Sequence, residues 1–382
     1  MKIFHAGLPI TTAPRRILCA TRYGTLGASS RLRIMQYLPA LRAAGFEVTL
    51  RPFLANAYLT ALYSGQPRLR TALASYRHIL ALRHDIHSHD LIWIEKELLP
   101  WVPYWFEGGL LRNKPYILDF DDAWALRYSS AHSRLTRLLL RHKFSHLLRH
   151  AALTVVANKN LHEWAKSEGA EAILQLPTVV DTSRYPLQPA SRETFTIGWI
   201  GTPLTATYLE AIAAPLRQLA QEAPLKLRVI GAPDFSLPGV EVEALPWSEA
   251  SESHLLAHCH VGIMPLPESG WAQGKSGYKL IQYMALAKAT VGSAIGANNQ
   301  IIRHGETGFL ATTDAEWLTC LRAVRDNPDL AQRLGQAGRQ RVVTHYSLEA
   351  TAPLLVQAFS GLADNIAAHK VKTQPAMQPR SA

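Results

Sequence analysis

The chain is expected to be an α/β protein built as two doubly wound domains, each a parallel sheet covered by helices. Three observations carry this expectation. RRILCAT, the small-residue loop YGTLGASS, the helical RLRIMQYLPALRAAG ending at Gly45 and the strand FEVTLRPF follow one another in the βαβ order of a parallel sheet. The order restarts beyond the Pro- and polar-rich stretch LPTVVDTSRYPLQPASRE, with FTIGWIG, a helix from Tyr208 to Gln221, and LKLRVIG. Finally, 382 residues exceed one ordinary core and suit two of roughly 150 to 200 residues each.

Further strands are expected at DLIWIEK (90–96), PYILDF (115–120) and LTVVAN (153–158), then at the short VEAL, HVGIMPL (260–266) and ATVGS (289–293). The expected units are 1–185 and 186–365, followed by a disordered basic tail, 366–382. No apolar run approaches the roughly 18 to 20 residues of a membrane-spanning helix. The N-terminal MKIFHAGLPITTAPRR has no apolar run with a cleavage site of the secretory kind. Cys19, Cys259 and Cys320 are an odd number, far apart, without metal-ligand spacing, which argues against a disulfide frame and a zinc site. A cytoplasmic location follows as the expectation.

The formal charge of +11 calls for an anionic partner: nucleic acid, a phosphorylated ligand or an acidic membrane surface. Residues 132–150 (HSRLTRLLLRHKFSHLLRH) carry Arg134, Arg137, Arg141, Lys143 and Arg149 without one acid, interleaved with Leu and Phe at helical spacing. This reads as a basic amphipathic helix, either a solvated face packed on its leucines or a contact for a phosphorylated acceptor or for anionic lipid at the inner face of the cell membrane. No RNP pattern, helix-turn-helix or zinc finger accompanies the charge, so nucleic acid is not expected.

Two stretches carry candidate chemistry. YILDFDDAW places Asp119, Asp121 and Asp122 behind an apolar strand, where they could chelate a metal, close a Walker-type site, position a polar substrate or cap the next helix. GWAQGKS (270–276) is one residue short of a P-loop and follows the acidic strand instead of preceding it, and neither half carries GxGxxG after its first strand. Nucleotide hydrolysis and dinucleotide redox chemistry are both disfavoured.

GKSGYKLIQYMALAKATVGSAIGANNQIIRHGETGFL (274–310) resembles, in order and spacing, the donor-binding region of GT-B glycosyltransferases, in particular family GT4. The likeness continues through AQRLGQAGRQRVVTHYSLE and back through GWIGTPLTATYLEAI, so it covers nearly the whole chain, more strongly in the second half. It implies two Rossmann-like domains facing each other across a cleft, no metal, no cofactor beyond a UDP- or GDP-sugar co-substrate, and transfer with retention. The acceptor is expected to be a glycan of cell-surface polysaccharide synthesis, and, if the basic helix at 132–150 and the first half both meet a membrane, a polyprenyl-linked or lipid glycan; that step rests on charge and not on the resemblance. The competing reading is a non-catalytic nucleotide-sugar or glycan-binding protein on the same fold.

Independent chemistry agrees with the resemblance at the diphosphate. Backbone N–H groups of Ser276, Gly277 and Tyr278 at a helix start, with Lys275 and Lys279, suit a departing diphosphate. The resemblance implies that Gln282 stands where a second glutamate usually binds ribose, and that the first glutamate of that E-x7-E pattern falls at Gly274. It also gives donor contacts to Gly201, Thr202, Trp247, Asn298 and Asn299, with Trp199 read as core. Asp121 is expected to face the transferred sugar and Asp119 to point the same way by strand alternation, while Asp122 caps the next helix. Gly27, Ala28, Arg31 and Arg33 are expected on the acceptor side, Ser29 and Ser30 as helix caps, and Glu95 as a lesser cleft candidate.

Overall fold

The computed structural model describes residues 15–188 and 194–373, with side chains to 368. In the first unit β1 (Arg15–Tyr23), β2 (Phe46–Leu54), β3 (Leu91–Glu95), β4 (Tyr116–Phe120), β5 (Leu153–Val156) and β6 (Ile173–Gln175) form a parallel sheet in the order β2-β1-β3-β4-β5-β6. In the second, β7 (Phe195–Ile200), β8 (Leu225–Ile230), β9 (Glu241–Leu245), β10 (Val261–Met264), β11 (Ala289–Ser293) and β12 (Phe309–Ala311) run in the order β12-β11-β10-β7-β8-β9, again parallel. β3 and β4 are buried at every position, which explains why LIWIE and YILDF read as continuous runs and not as alternation. The edge strands β6 and β12 are three residues each, too short for a periodic signal.

The two faces of the first sheet fill differently. Leu18, Ile92, Ile94, Leu118 and Phe120 meet Phe144, Leu147 and Leu148 on one side. Ile17, Cys19, Trp93 and Ile117 face Tyr37 and Leu41 on the other, together with Leu355 and Phe359 from the last helix, Leu348–Thr373. The Phe359 ring stands edge-on to Trp93, with 4.9 Å between centroids. The final helix therefore returns from the second unit to complete the core of the first. It also carries residues 366–373, which sequence placed in the disordered tail; the remainder of that tail lies outside the described residues.

The expected basic helix is broken into Arg134–Leu140 and Lys143–His150. Lys143 leaves the basic face altogether: its ammonium is buried 2.8 Å from Glu97 and 2.7 Å from Glu107. The acids missing from the local sequence come from the loop after β3 and from the helix Tyr104–Leu111. Leu135, Leu138 and Leu139 remain exposed on the preceding helix. Among the described residues no helix is long and apolar enough to cross a membrane.

Candidate active site between the two sheets

In each sheet the chain turns to opposite sides of one strand pair, β1/β3 in the first and β7/β10 in the second, and such switch points open a crevice at the carboxyl ends of the strands. The loops that leave those ends touch. Asn158, after β5, donates its amide to the carbonyls of Gly274 and Lys275 at 3.1 and 3.3 Å. Gly274 is pressed on the loop after β4, where a side chain would put its Cβ 2.5 Å from the Cβ of Ala123 and 2.7 Å from its amide nitrogen. The DFDDAW and GWAQGKSG stretches thus form the two lips of one cleft.

On the second lip, Gly277 takes φ 70° at the start of the helix Tyr278–Ala285, with Ile301 filling the space a side chain would need. Lys279, in the first turn, is half-buried, with its ammonium 5.4 Å from the ring centre of Trp199, which is core as expected. Burial, helped by the charge of Lys275, lowers Lys279 to about 8 from its usual 10.5. Lys275 lies 5.0 Å from the ring of Trp271. Gly201 and Thr202 follow β7, with Thr202 in a capping box with Thr205. Ser276 lines a cavity of about 290 Å³ at the domain boundary, with Asn158, Ala297 and Arg303.

A buried polar chain runs behind this lip. Gln282, 3% exposed, donates to the Tyr185 hydroxyl at 3.0 Å; Tyr185 donates to Glu252 at 2.9 Å, and Glu252 also accepts from the indole N–H of Trp247 at 2.8 Å. The Tyr278 hydroxyl is 3.5 Å from that of Tyr185. Trp247 is 36% exposed and lies under the guanidinium of Arg31, which reaches from the first unit to 5.2 Å from the ring centre and 3.5 Å from Glu249. Asn298 is buried with its amide on the Ser293 carbonyl and its Oδ1 unpartnered, whereas Asn299 is exposed.

The first lip departs from expectation at several residues. Asp119 and Asp121 do not point together, because the strand ends at Phe120 and alternation ends with it. Asp119 is buried on Arg33, Oδ1 2.7 Å from Nε and Oδ2 3.3 Å from Nη2, and Arg33 also donates to the Leu176 carbonyl at 2.7 Å. Arg33 is thus an internal partner and not an acceptor contact. Ser29 and Ser30 donate to Asp121 and Glu95 instead of capping their helix, whose first residue, Ala28, is exposed and whose N-cap, Gly27, is buried. Glu95 is fully buried, and burial raises its pKa despite the nearby Lys96.

Asp121 is held by Ser29 and by Lys96, whose ammonium is 2.9 Å away. Burial alone would raise this acid, yet Lys96 and Ser29 outweigh it and hold the carboxyl at about 2. Asp122 is the contrasting neighbour. It does not cap the following helix, whose N-cap is Ala125 without a side-chain bond. Its buried Oδ1 lacks a hydrogen-bond partner, and burial raises its pKa although Lys96, Lys275 and Arg127 pull the other way. Oδ1 of Asp121 has the Lys96 ammonium at 2.9 Å, whereas among the described residues Oδ1 of Asp122, next to the residue that presses on Gly274, has neither a hydrogen bond nor an ion pair.

Residues 195–326 match the family model described as glycosyl transferases group 1. The match lies within the second unit. No curated protein sequence matches the chain. Solved structures extend the likeness over both units. A sucrose-phosphate synthase from Thermosynechococcus elongatus superposes with a TM-score of 0.67 at 14% identity, covering 92% of this chain and 100% of its own. HepE from Anabaena, in complex with UDP and glucose, gives 0.67 at 13%, covering 91% and 100%. A glycosyltransferase from Rickettsia africae gives 0.62 at 10%, covering 92% and 99%. The two described units together have the GT-B fold.

Lys96, Trp101, Arg127 and Trp271 also line the cleft or its approaches and were not singled out from sequence. The available hint was charge beside aromatic residues: Trp124 carries the guanidinium of Arg127 at 4.1 Å and the ammonium of Lys96 at 4.6 Å. Such pairings join loops far apart in sequence.

Proposed function

We propose that the protein transfers a sugar from a UDP- or GDP-sugar to a glycan or lipid-linked acceptor, with retention and without a metal, in the manner of family GT4. One observation carries the reading: Lys279 is a half-buried cation, two residues past a left-handed glycine that opens a helix, and burial with a neighbouring lysine drives its pKa to about 8. A cation kept in that environment gains most from a dianionic diphosphate, and the helix start adds N–H donors for the same oxygens. A thermal-shift panel of nucleotide sugars, followed by transfer or hydrolysis assays with and without chelator, tests it. A strict requirement for magnesium or manganese overturns the metal-free part.

The pH dependence follows from the same lysine. Diphosphate binds the protonated form, so affinity should be flat below pH 7 and fall as pH rises through about 8, with proton uptake on binding. Calorimetry of UDP binding at pH 7 and 8.5, in two buffers of different ionisation enthalpy, reads that uptake. A Lys279→Arg variant should show none, and an equal pH dependence in both proteins would remove Lys279 from the site.

The carboxylate absent at Gly274 has a replacement in this reading. No side chain fits at 274 against Ala123, and Asp122, the residue before Ala123, offers its unpartnered oxygen there from the opposite unit. Its role is to accept from a hydroxyl of the transferred sugar and to oppose positive charge developing on the ring. Asp122→Asn is expected to retain folding and UDP affinity while lowering turnover by about tenfold or more. Asp121→Asn should instead lower stability by about 3 kcal/mol, because Lys96 loses its nearest buried partner. Urea denaturation and kinetics on both variants decide, and the reverse pattern returns the cleft role to Asp121. The non-catalytic alternative draws on the absence of a carboxylate from position 274 itself; UDP-sugar binding with neither transfer nor hydrolysis would favour it.

A further inference from the structure

Beside the cleft, the first unit holds a cavity of about 350 Å³ lined by Arg22, Trp101, Trp124, Arg127, Tyr128 and Thr136. Arg22 is already neutralised, 2.5 Å from Glu97. Arg127 is not. Its exposed guanidinium lies between Trp124 and Trp271, 4.1 and 5.6 Å from their ring centres, and among the described residues no carboxylate reaches ion-pair distance, though Asp122 shares its field. Arg127 also walls a second cavity, about 500 Å³, with Leu126, Ser130, Gly270 and Trp271. It therefore stands between the aromatic pocket and the turn that leads to Lys275.

Trp101 supplies the second argument. It is 43% exposed and adopts φ 62°, a left-handed conformation that is costly for a bulky side chain. Its N–H donates to the Tyr128 hydroxyl at 2.8 Å, and Tyr128 in turn donates to the buried Glu97. A strained backbone tied to a buried network holds this ring at the mouth of the cavity, where its own burial would not put it.

We propose that this cavity is a subsite for an acidic sugar, a pyranose bearing a carboxylate or a phosphate, with its C–H face on Trp101 and its anion on Arg127. Aromatic rings bury the apolar face of a pyranose, and a guanidinium forks two N–H groups toward either anion. The subsite's part in accepting the sugar rests on the glycosyl-transfer reading; its preference for acidic sugars does not.

The test titrates the full chain with methyl glucuronide, glucose 1-phosphate and neutral methyl glucoside, followed by ligand-observed NMR, with UDP as a separate probe. An acidic sugar should bind about tenfold or more tightly than the neutral one, and Arg127→Gln, a surface change, should erase the difference. A gain for only one of the two anions supports the proposal and names the group recognised. Trp101→Gly should weaken all three sugars, and because glycine takes φ 62° freely the relief of backbone strain offsets part of the lost ring contacts with Tyr58 and Arg22. UDP affinity is measured on both variants to separate an effect on the subsite from one on the donor side of the cleft. No preference in the parent protein, or a preference that survives Arg127→Gln, overturns the proposal. Absence of UDP binding with the acidic-sugar preference intact would instead count against the donor reading alone.

Discussion

Replacing Lys279 by alanine is expected to lower kcat/KM for sugar transfer by about a hundredfold, the usual cost of deleting one preorganised charge, roughly 3 kcal/mol, at a developing anion. The expectation rests on where the ammonium is held. Its neighbours are Trp199 and Lys275, and the long-range pull of both burial and like charge is against protonation. Burial and like charge outweigh the attraction of the Trp199 ring for the ammonium, so the variant should fold about as well as the parent. A loss of activity with stability preserved separates a diphosphate contact from a packing role. An effect under about threefold would make Lys279 an ordinary half-buried lysine.

The largest expected effect on stability is at Arg33. Its guanidinium is fully buried and binds Asp119 through two hydrogen bonds while also serving the Leu176 carbonyl. Arg33→Met leaves Asp119 without a counter-charge in the centre of the first unit, at a cost of about 3 to 5 kcal/mol. Burial already raises the Asp119 pKa in spite of Arg33, so the orphaned acid would neutralise by taking a proton. The double variant Arg33→Met/Asp119→Leu should recover much of the loss, because two apolar groups can replace a buried pair at little net cost. Urea denaturation of the single and double variants measures this. A single variant as stable as the parent would show that the pair contributes nothing.

How much of this was legible in the sequence depended on range. The βαβ order, the long strands and the GKSGYK turn are encoded by residues within one or two elements, and local periodicity or turn chemistry displays them. Lys279 and Gly277 belong to this class. The charges around DFDD do not. Asp119, Asp121 and Asp122 are consecutive enough to look like one cluster, yet Asp119 pairs with Arg33, Asp121 with Lys96 and Ser29, and the buried Oδ1 of Asp122 has no hydrogen-bond partner. What separates them is the end of β4 at Phe120, a boundary that apolar pattern cannot fix to a residue. Lys143 misled for the same reason: its helix shows no acid, while Glu97 and Glu107 arrive from other elements. Arg127 and Trp101 were silent because a surface arginine beside a tryptophan has no pattern until the pocket exists.

The last helix gives the chain an unusual order of completion. Leu355 and Phe359 cover Ile17, Cys19 and Trp93 on one face of the first sheet, and Thr351 receives the hydroxyl of Tyr37 at 3.0 Å. A ribosome delivers that sheet before the second unit and its cover only after it. Until the final segment emerges, the first unit carries an apolar face around Trp93 that belongs to its own interior, open to chaperones and to other nascent chains.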